Sequence, residues 1–315
     1  MNKRIAVGID IGGTNTVYGF IDEVGTVLES QEIPTRGNQP IEDLIERLDS
    51  RIKLFFKNNS NLSLNGIGIG APNGNHYSGK IQTPPNLSWG DVHIVSIFEE
   101  KFNCNTILTN DANAAALGEK KFGVAKSMND FVVITLGTGL GSGIFSGGNL
   151  LYGHDGFAGE LGHVSIDTNG RKCNCGSIGC LESYASATGI KKTVKTFLER
   201  NPKDEFLQSI SSEKINGLLI DKAFDAGNKL AQQIYEYTGT QLGLGLAQAA
   251  NLLSPEAFIF YGGFSNAGRR ILDPAKISME KYLINGNAHT INLLQSALPK
   301  GQAGILGAAS LIFNS

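Results

Sequence analysis

The chain opens on apolar runs separated by a cluster of small residues. Residues 4–11 (RIAVGIDI) and 16–22 (TVYGFID) are β-branched and apolar, and Gly12, Gly13, Thr14 and Asn15 lie between them. This pattern predicts a strand, a glycine-rich turn and a second strand. Over 41–57 the period changes: Ile41, Leu44, Ile45, Leu48, Ile52, Phe55 and Phe56 recur at helical spacing, which predicts an amphipathic helix. A strand at 66–71 (GIGIGA) follows. The stretch 72–90, rich in Pro, Gly and Asn, predicts a long loop or a pair of short strands. A helix near 93–102 then leads to a strand at 106–109 (TILT), and Asn110-Asp111 opens an alanine-rich helix over 112–120.

The pattern then restarts. Residues 131–136 (FVVITL) predict a strand, 137–141 (GTGLG) a glycine-rich turn and 142–146 (SGIFS) another strand. Superimposing the two turns sets Asp10 opposite Thr135 and Gly12 opposite Gly137. An internal duplication accounts for this repeat and predicts two similar lobes facing each other across a cleft, a favoured place for a ligand. Residues 153–184 are rich in Gly and Cys and predict no regular element. Helices are expected at 188–200 and 221–250, and a strand at 257–261 (AFIFY) before Gly262-Gly263 and further helix. The last segment, 301–313, reads as a closing helix that packs back on the first lobe.

Composition sharpens this picture. Forty of the 315 residues are glycine, where average usage would give roughly 22. The excess sits in short runs between apolar segments, as expected where backbone approaches a ligand closely. The net charge is −2 with no long basic run, so the positive footprint of non-specific nucleic-acid binding is missing. No apolar run is long enough to cross a membrane. The opening MNKRIAVGIDIGG is interrupted by Asp10 and followed by no small-residue cleavage site, so it reads as a strand and not a signal peptide. A cytoplasmic location is the expectation.

An ATP phosphate tail needs backbone N–H donors at close range and no β-carbons in the way. Two glycine-rich turns facing each other could supply them, with hydroxyl donors from Thr14 and Thr138. Asp10, just before the first turn, could hold magnesium or its water shell. Either turn alone is equally well a tight hairpin; two matched turns, one with an acid at the strand end, point to phosphate. The stretch 74–81 (GNHYSGKI) imitates a P-loop. Ile81 stands where Ser or Thr should bind magnesium, and Pro84 and Pro85 stop the helix that should follow. The G-x-G runs at 66–70 and 137–141 lack the helix and distal acid of a dinucleotide fold.

Asn110-Asp111 fits a plain helix cap as well as a catalytic acid. A helix N-terminus favours the carboxylate and weakens it as a base, which phosphoryl transfer tolerates, so the motif alone leaves both readings open. Cys173, Cys175 and Cys180, with His163 ten residues before the first of them, match a closed tetrahedral zinc site of structural type. Gly176 and Gly179 let the chain fold tightly around the ion, and Glu160 and Glu182 flank it.

Together these segments resemble the ROK family of bacterial sugar kinases, related repressors and open reading frames. The likeness runs through DIGGTN (10–15), GIGAPNG (68–74), PPNLSW (84–89), NDANAAALGE (110–119), GTGLGSGI (137–144), GELGH (159–163) and CNCGSIGCLE (173–182). The resemblance implies a duplicated α/β, actin/hexokinase-like (ribonuclease H-like) fold. Its smaller lobe would comprise 1–116 plus 301–315, and its larger lobe 117–300 with the zinc loop. It also implies a homodimer and an ATP-dependent hexose kinase acting on the 6-hydroxyl, with glucose foremost and an N-acetylhexosamine or N-acetylmannosamine kinase as the alternative. By that likeness Asp111 is the base, and Asn86, Asn110, Glu160, His163 and Glu182 hold sugar hydroxyls together with Asp111. The cofactor side would comprise Asp10 for magnesium, Gly12, Gly13, Thr14, Asn15, Gly137, Thr138 and Gly139 for the phosphates, and Gly262 and Gly263 for the adenosine.

Two departures bear on sugar choice: Pro-Asn-Gly at 72–74, where many members read Pro-Gly, and two prolines before Asn86. A non-catalytic, sugar-responsive regulator is the reading from another class. Only nine residues precede Asp10, which argues against the DNA-binding module such regulators carry. Because the glycine turns lie elsewhere in the chain, zinc is expected to act on the sugar side before the ATP side.

Overall fold

The computed structural model describes residues 3–84, 87–209, 217–284, 291–299 and 301–313. The first half runs β1 (Lys3–Ile11), β2 (Asn15–Ile21), β3 (Val27–Pro34), α1 (Ile41–Asn58), β4 (Leu62–Ala71), β5 (Gly74–Asn75), β6 (Lys80–Ile81), α2 (Ile94–Phe102), β7 (Thr106–Asn110) and α3 (Asp111–Lys121). The second half runs β8 (Phe131–Leu136), β9 (Leu140–Ser146), β10 (Asn149–Leu150), α4 (Ala187–Arg200), α5 (Glu205–Ser209), α6 (Gly217–Asp225), α7 (Lys229–Leu253), β11 (Ala257–Tyr261), α8 (Arg269–Tyr282), β12 (Asn292–Gln295) and α9 (Ala303–Phe313).

The duplication extends to the whole strand order. One sheet is β3-β2-β1-β4-β7 and the other β10-β9-β8-β11-β12. In each, three antiparallel strands are followed by two added in parallel. Asp10 pairs with Gly70 of β4, and Thr135 pairs with Tyr261 of β11, so the two residues hold the same place in their sheets.

The elements that periodicity missed have physical reasons to be silent. β3 (VLESQEIP) lies at a sheet edge and is mostly exposed, so it needs no apolar alternation and carries charge instead. β10 and β12 are too short to show a period. The helix expected over 221–250 is two helices, α6 and α7. Gly227 takes φ +80° between them, and the Asn228 side chain accepts from the Ala231 N–H to start α7. Residues 74–81 form the β5–β6 hairpin, so no helix follows the P-loop lookalike. Among the described residues no helix is long and apolar enough to cross a membrane.

The last helix of each half lies on the sheet of the other. α3 follows β7 but packs Ala115, Ala116 and Leu117 with Phe131, Val133 and Phe145 of the second sheet. α9 follows β12 but packs Ile305, Leu306 and Ala309 with Ala6 and Ile21 of the first. Glycine permits both contacts. A β-carbon on Gly8 would stand 2.0 Å from the Ile305 carbonyl oxygen, and one on Gly68 would stand 1.8 Å from that of Ala308. The helices also cross each other, where a β-carbon on Gly307 would meet the Ala114 carbonyl oxygen at 1.5 Å.

Gly307→Ala therefore forces backbone apart, and should cost roughly 1–3 kcal/mol or more. Urea unfolding should show a clearly lower midpoint for it than for Gly90→Ala, where a β-carbon meets nothing within 4 Å. Equal midpoints would show that the crossing is not tight.

Candidate functional site

The strand ends of both sheets and the first turns of α3 and α9 converge on a cavity of about 620 Å³. Asp10, Gly12, Gly13 and Thr14 line it from the first lobe, and Gly137, Thr138 and Gly139 from the second. A second cavity of about 390 Å³ shares Tyr261 and Gly262 with it and adds Gly263, Ser265, Asn266 and Ser296. The two thus adjoin at Tyr261 and Gly262.

Each turn is closed by a glycine N–H bonded to a carbonyl: Gly12 to Asn15 at 2.9 Å and Gly137 to Gly139 at 3.0 Å. No hydrogen bond among the described residues takes up the N–H groups of Gly13, Thr14, Thr138 or Gly139. Unsatisfied backbone donors that line a cavity invite an anion. A β-carbon on Gly137 would meet nothing within 4 Å; the space in front of that turn is open.

Four carboxylates face the same cavity, Asp10, Asp111, Glu160 and Glu182, and among the described residues no Lys or Arg lines it. Burial, reinforced by the charge of Asp111, raises Asp10 to about 7. Asp111 is reached by solvent through the cleft yet surrounded by protein, and burial pushes its carboxyl up against the lowering effect of the Ala112 N–H at 2.9 Å. Burial also raises Glu160, with Asp111 and Glu182 adding to the rise and His163 opposing it. Carboxylates gathered in this way suit a cation. Gly304, in the first turn of α9, is held against Asp10; a β-carbon there would lie 2.2 Å from its carboxylate.

The Asn110 side chain is the cap, accepting from the Asn113 N–H at 2.9 Å. Asp111 lines the cleft while its carboxylate accepts the Ala112 N–H.

The four ligand atoms of His163, Cys173, Cys175 and Cys180 lie within 4.8 Å of one another. Cys175 and Cys180 sulfurs are 3.6 Å apart, and Cys173 lies 3.9 Å from His163 Nδ1. Tetrahedral coordination at about 2.3 Å spaces ligand atoms by roughly 3.8 Å, so the cluster fits a metal ion. Hydrogen bonding from the Ser177 N–H holds the Cys175 thiol down to about 6, while burial pushes Cys180 up to about 12. Three adjacent thiolates repel one another unless a cation joins them. His163 turns its other nitrogen outward, with Nε2 3.8 Å from Glu160.

The expected residues do not all take the expected places. Asn15 turns its side chain to Glu32 on β3 and joins the first turn through its carbonyl. His163 is not part of the cavity wall and reaches it through Glu160. Asn86 lies outside the described residues. Glu182 lines the cavity and has further partners. Its Oε2 accepts the Leu140 N–H at 2.9 Å, its other oxygen lies 4.0 Å from the Cys173 sulfur, and it packs under Gly139. The metal loop is thus tied directly to the second glycine turn, so distance along the chain does not separate the two. Tyr261 and Gly304 line the cavity but carry no local motif that could have marked them.

Two repeats of one strand order, with glycine turns facing across a cleft, define an actin/hexokinase-like fold. The ROK family model matches residues 6–314. A glucokinase from Halalkalibacterium halodurans is 35% identical over 99% of this chain and 96% of that relative. A xylose repressor from Bacillus spizizenii is 32% identical over 99% of this chain and 78% of its own length. A ROK family glucokinase from Streptomyces griseus, solved in complex with glucose and AMPPNP, superimposes with a TM-score of 0.83 at 32% identity, covering 99% of this chain and all of that one. This chain belongs to the ROK family.

Asp10 makes stability depend on pH. Its folded pKa of about 7 lies above the ordinary 3.8, so folding favours the neutral acid and stability falls as pH rises from about 4 to about 7. Asp10→Asn should therefore melt higher than the unaltered protein at pH 8 in the absence of divalent cations. The gain should shrink to nothing at pH 4. An offset that is the same at every pH would mean that Asp10 is not the titrating group.

Proposed function

We propose that this chain is an ATP-dependent hexose kinase that transfers the γ-phosphate of ATP to the 6-hydroxyl of glucose. The observation that carries the reading is the pair of glycine turns with free N–H donors, lining one cavity with Asp111. Support comes from the glucokinase relatives and from the neighbour solved with glucose and AMPPNP.

In this reading the phosphates lie between Gly13-Thr14 and Thr138-Gly139, and the adenosine extends past Gly262-Gly263 into the second cavity. The sugar is held by Asn110 and Glu160, with His163, Glu182 and Asn86 completing the set. Asp111 orients the 6-hydroxyl and takes its proton as the oxygen bonds to the γ-phosphorus and the bond to ADP breaks. Its raised pKa makes it a better acceptor than an ordinary carboxylate. Magnesium fits beside Asp10, where it would neutralise phosphate charge. Zinc fits the Cys3His cluster as a structural ion. The protein would act as a cytoplasmic homodimer, with lobes comprising 1–116 plus 301–315 and 117–300.

A sugar-responsive regulator is the second reading, favoured by the likeness to the xylose repressor. ADP release across a panel of hexoses and N-acetylhexosamines separates the two: turnover with glucose supports the kinase, and sugar binding without turnover supports the regulator.

Asp111→Asn keeps the shape and removes the proton acceptor. We expect kcat to fall about 100-fold or more with glucose affinity largely kept; near-normal kcat would leave Asp111 no role as a base. Metal analysis should find about one zinc per chain, as four protein ligands allow. Because Glu182 bonds both to the metal loop and to the second turn, Cys175→Ser should lower zinc content and raise the KM for sugar and for ATP together. Full zinc content in that variant would remove Cys175 from the ligand set.

A further inference from the structure

The free N–H groups of the glycine turns need something to aim them. A peptide unit is planar and trans, so its C=O and the following N–H point in opposite directions. Whatever holds the carbonyl of Gly12 therefore directs the N–H of Gly13. Likewise the carbonyls of Gly137 and Thr138 direct the N–H groups of Thr138 and Gly139.

All three carbonyls are held from outside their turn. In the first lobe, Thr35 Oγ1 donates to the Gly12 carbonyl at 2.7 Å, and the Thr35 N–H donates to the Thr14 carbonyl at 2.8 Å. Thr35 Oγ1 also lies 2.9 Å from Thr16 Oγ1. A hydroxyl has one hydrogen and a carbonyl can only accept, so Thr16 must donate to Thr35. Thr35 and Thr16 are both buried, which fixes the direction of this chain. In the second lobe, Thr188 Oγ1 donates to the Thr138 carbonyl at 2.9 Å, with its own N–H at 3.4 Å from the same oxygen. The neighbouring Ala187 N–H donates to the Gly137 carbonyl at 3.0 Å. One threonine from a later segment thus ties back each turn, Thr35 from just after β3 and Thr188 from the start of α4. Neither lines the cavity.

We propose that Thr35 and Thr188 are positioning residues for nucleotide phosphate, paired across the two lobes. Each pulls turn carbonyls away from the cleft. This removes oxygen–oxygen repulsion from the phosphates and presents the N–H of Gly13 or Gly139 to them. The proposal rests on the kinase reading above. It adds a task for two residues that touch no substrate.

The test is the affinity for AMPPNP by calorimetry, with steady-state KM for ATP and for glucose, in Thr35→Val, Thr188→Val and the corresponding Ser variants. Val keeps the shape and loses the hydroxyl; Ser keeps the hydroxyl. Each Val variant should weaken AMPPNP binding and raise the KM for ATP roughly three- to tenfold, the worth of one net hydrogen bond. The KM for glucose should stay within about twofold, well inside that loss, and Ser should restore ATP affinity. If buried Thr35→Val fails to fold, the half-exposed Thr188→Val carries the test alone. Unchanged AMPPNP affinity in folded Val variants overturns the proposal. So does a rise in the glucose KM matching that for ATP, or a loss that Ser does not repair. If the unaltered protein binds no AMPPNP at all, the kinase reading itself fails; if it binds normally and the variants do too, only the clamp is lost.

Discussion

At the crossing of α3 and α9, backbone meets backbone because Gly307 has no side chain to keep the Ala114 carbonyl away. That contact sets the geometry around it. α3 starts with Asp111 and α9 starts beside Gly304, so two helices locked together bring Asp111 and the Asp10 carboxylate into one cavity. Because each helix also lies on the sheet of the opposite half, neither half can shift without dragging the other's last helix. The small residues of α3 and of the central strands serve this close approach. At the far end of α3, buried Glu119 accepts from the Val124 N–H and from the Ser296 hydroxyl, which joins the same helix to the wall of the second cavity.

The cavity is an electrostatic problem left open by the protein alone. Burial raises Asp10, Asp111 and Glu160, the charge of Asp111 adds to the rise of Asp10 and of Glu160, and the glycine turns carry N–H donors that no described residue takes up. A bound cation and a bound polyanion would relieve both conditions at once. Charge in this site is complementary to what must enter it, which costs the empty protein stability and favours the loaded one.

The metal loop belongs to the same arrangement. One side chain, Glu182, connects the Cys173 end of the cluster to the Leu140 N–H. Ser186 donates to the Glu182 carbonyl and accepts from the Gly189 N–H at the start of α4. The Cys173 loop, Glu182, the second glycine turn and the start of α4 are therefore successive points on one hydrogen-bonded path.

Much of this was legible along the chain. Alternating and helical periods marked the strongly amphipathic elements, the two glycine turns announced the duplication, and the spacing of one His and three Cys announced the metal cluster, because each depends on residues close in sequence. Polar β3 and the four-residue β12 escaped, since an edge strand draws its stability from a ladder and not from an apolar face of its own. At Asn110-Asp111, where either side chain suits a helix start, only folding shows that Asn110 takes the Asn113 N–H while Asp111 lines the cavity. Thr35 and Thr188 look like any other threonine until folding places each of them beside a turn carbonyl. Local pattern encodes which elements form; which donor meets which acceptor across 23 or 50 residues of chain is settled only when the sheets and helices close on one another.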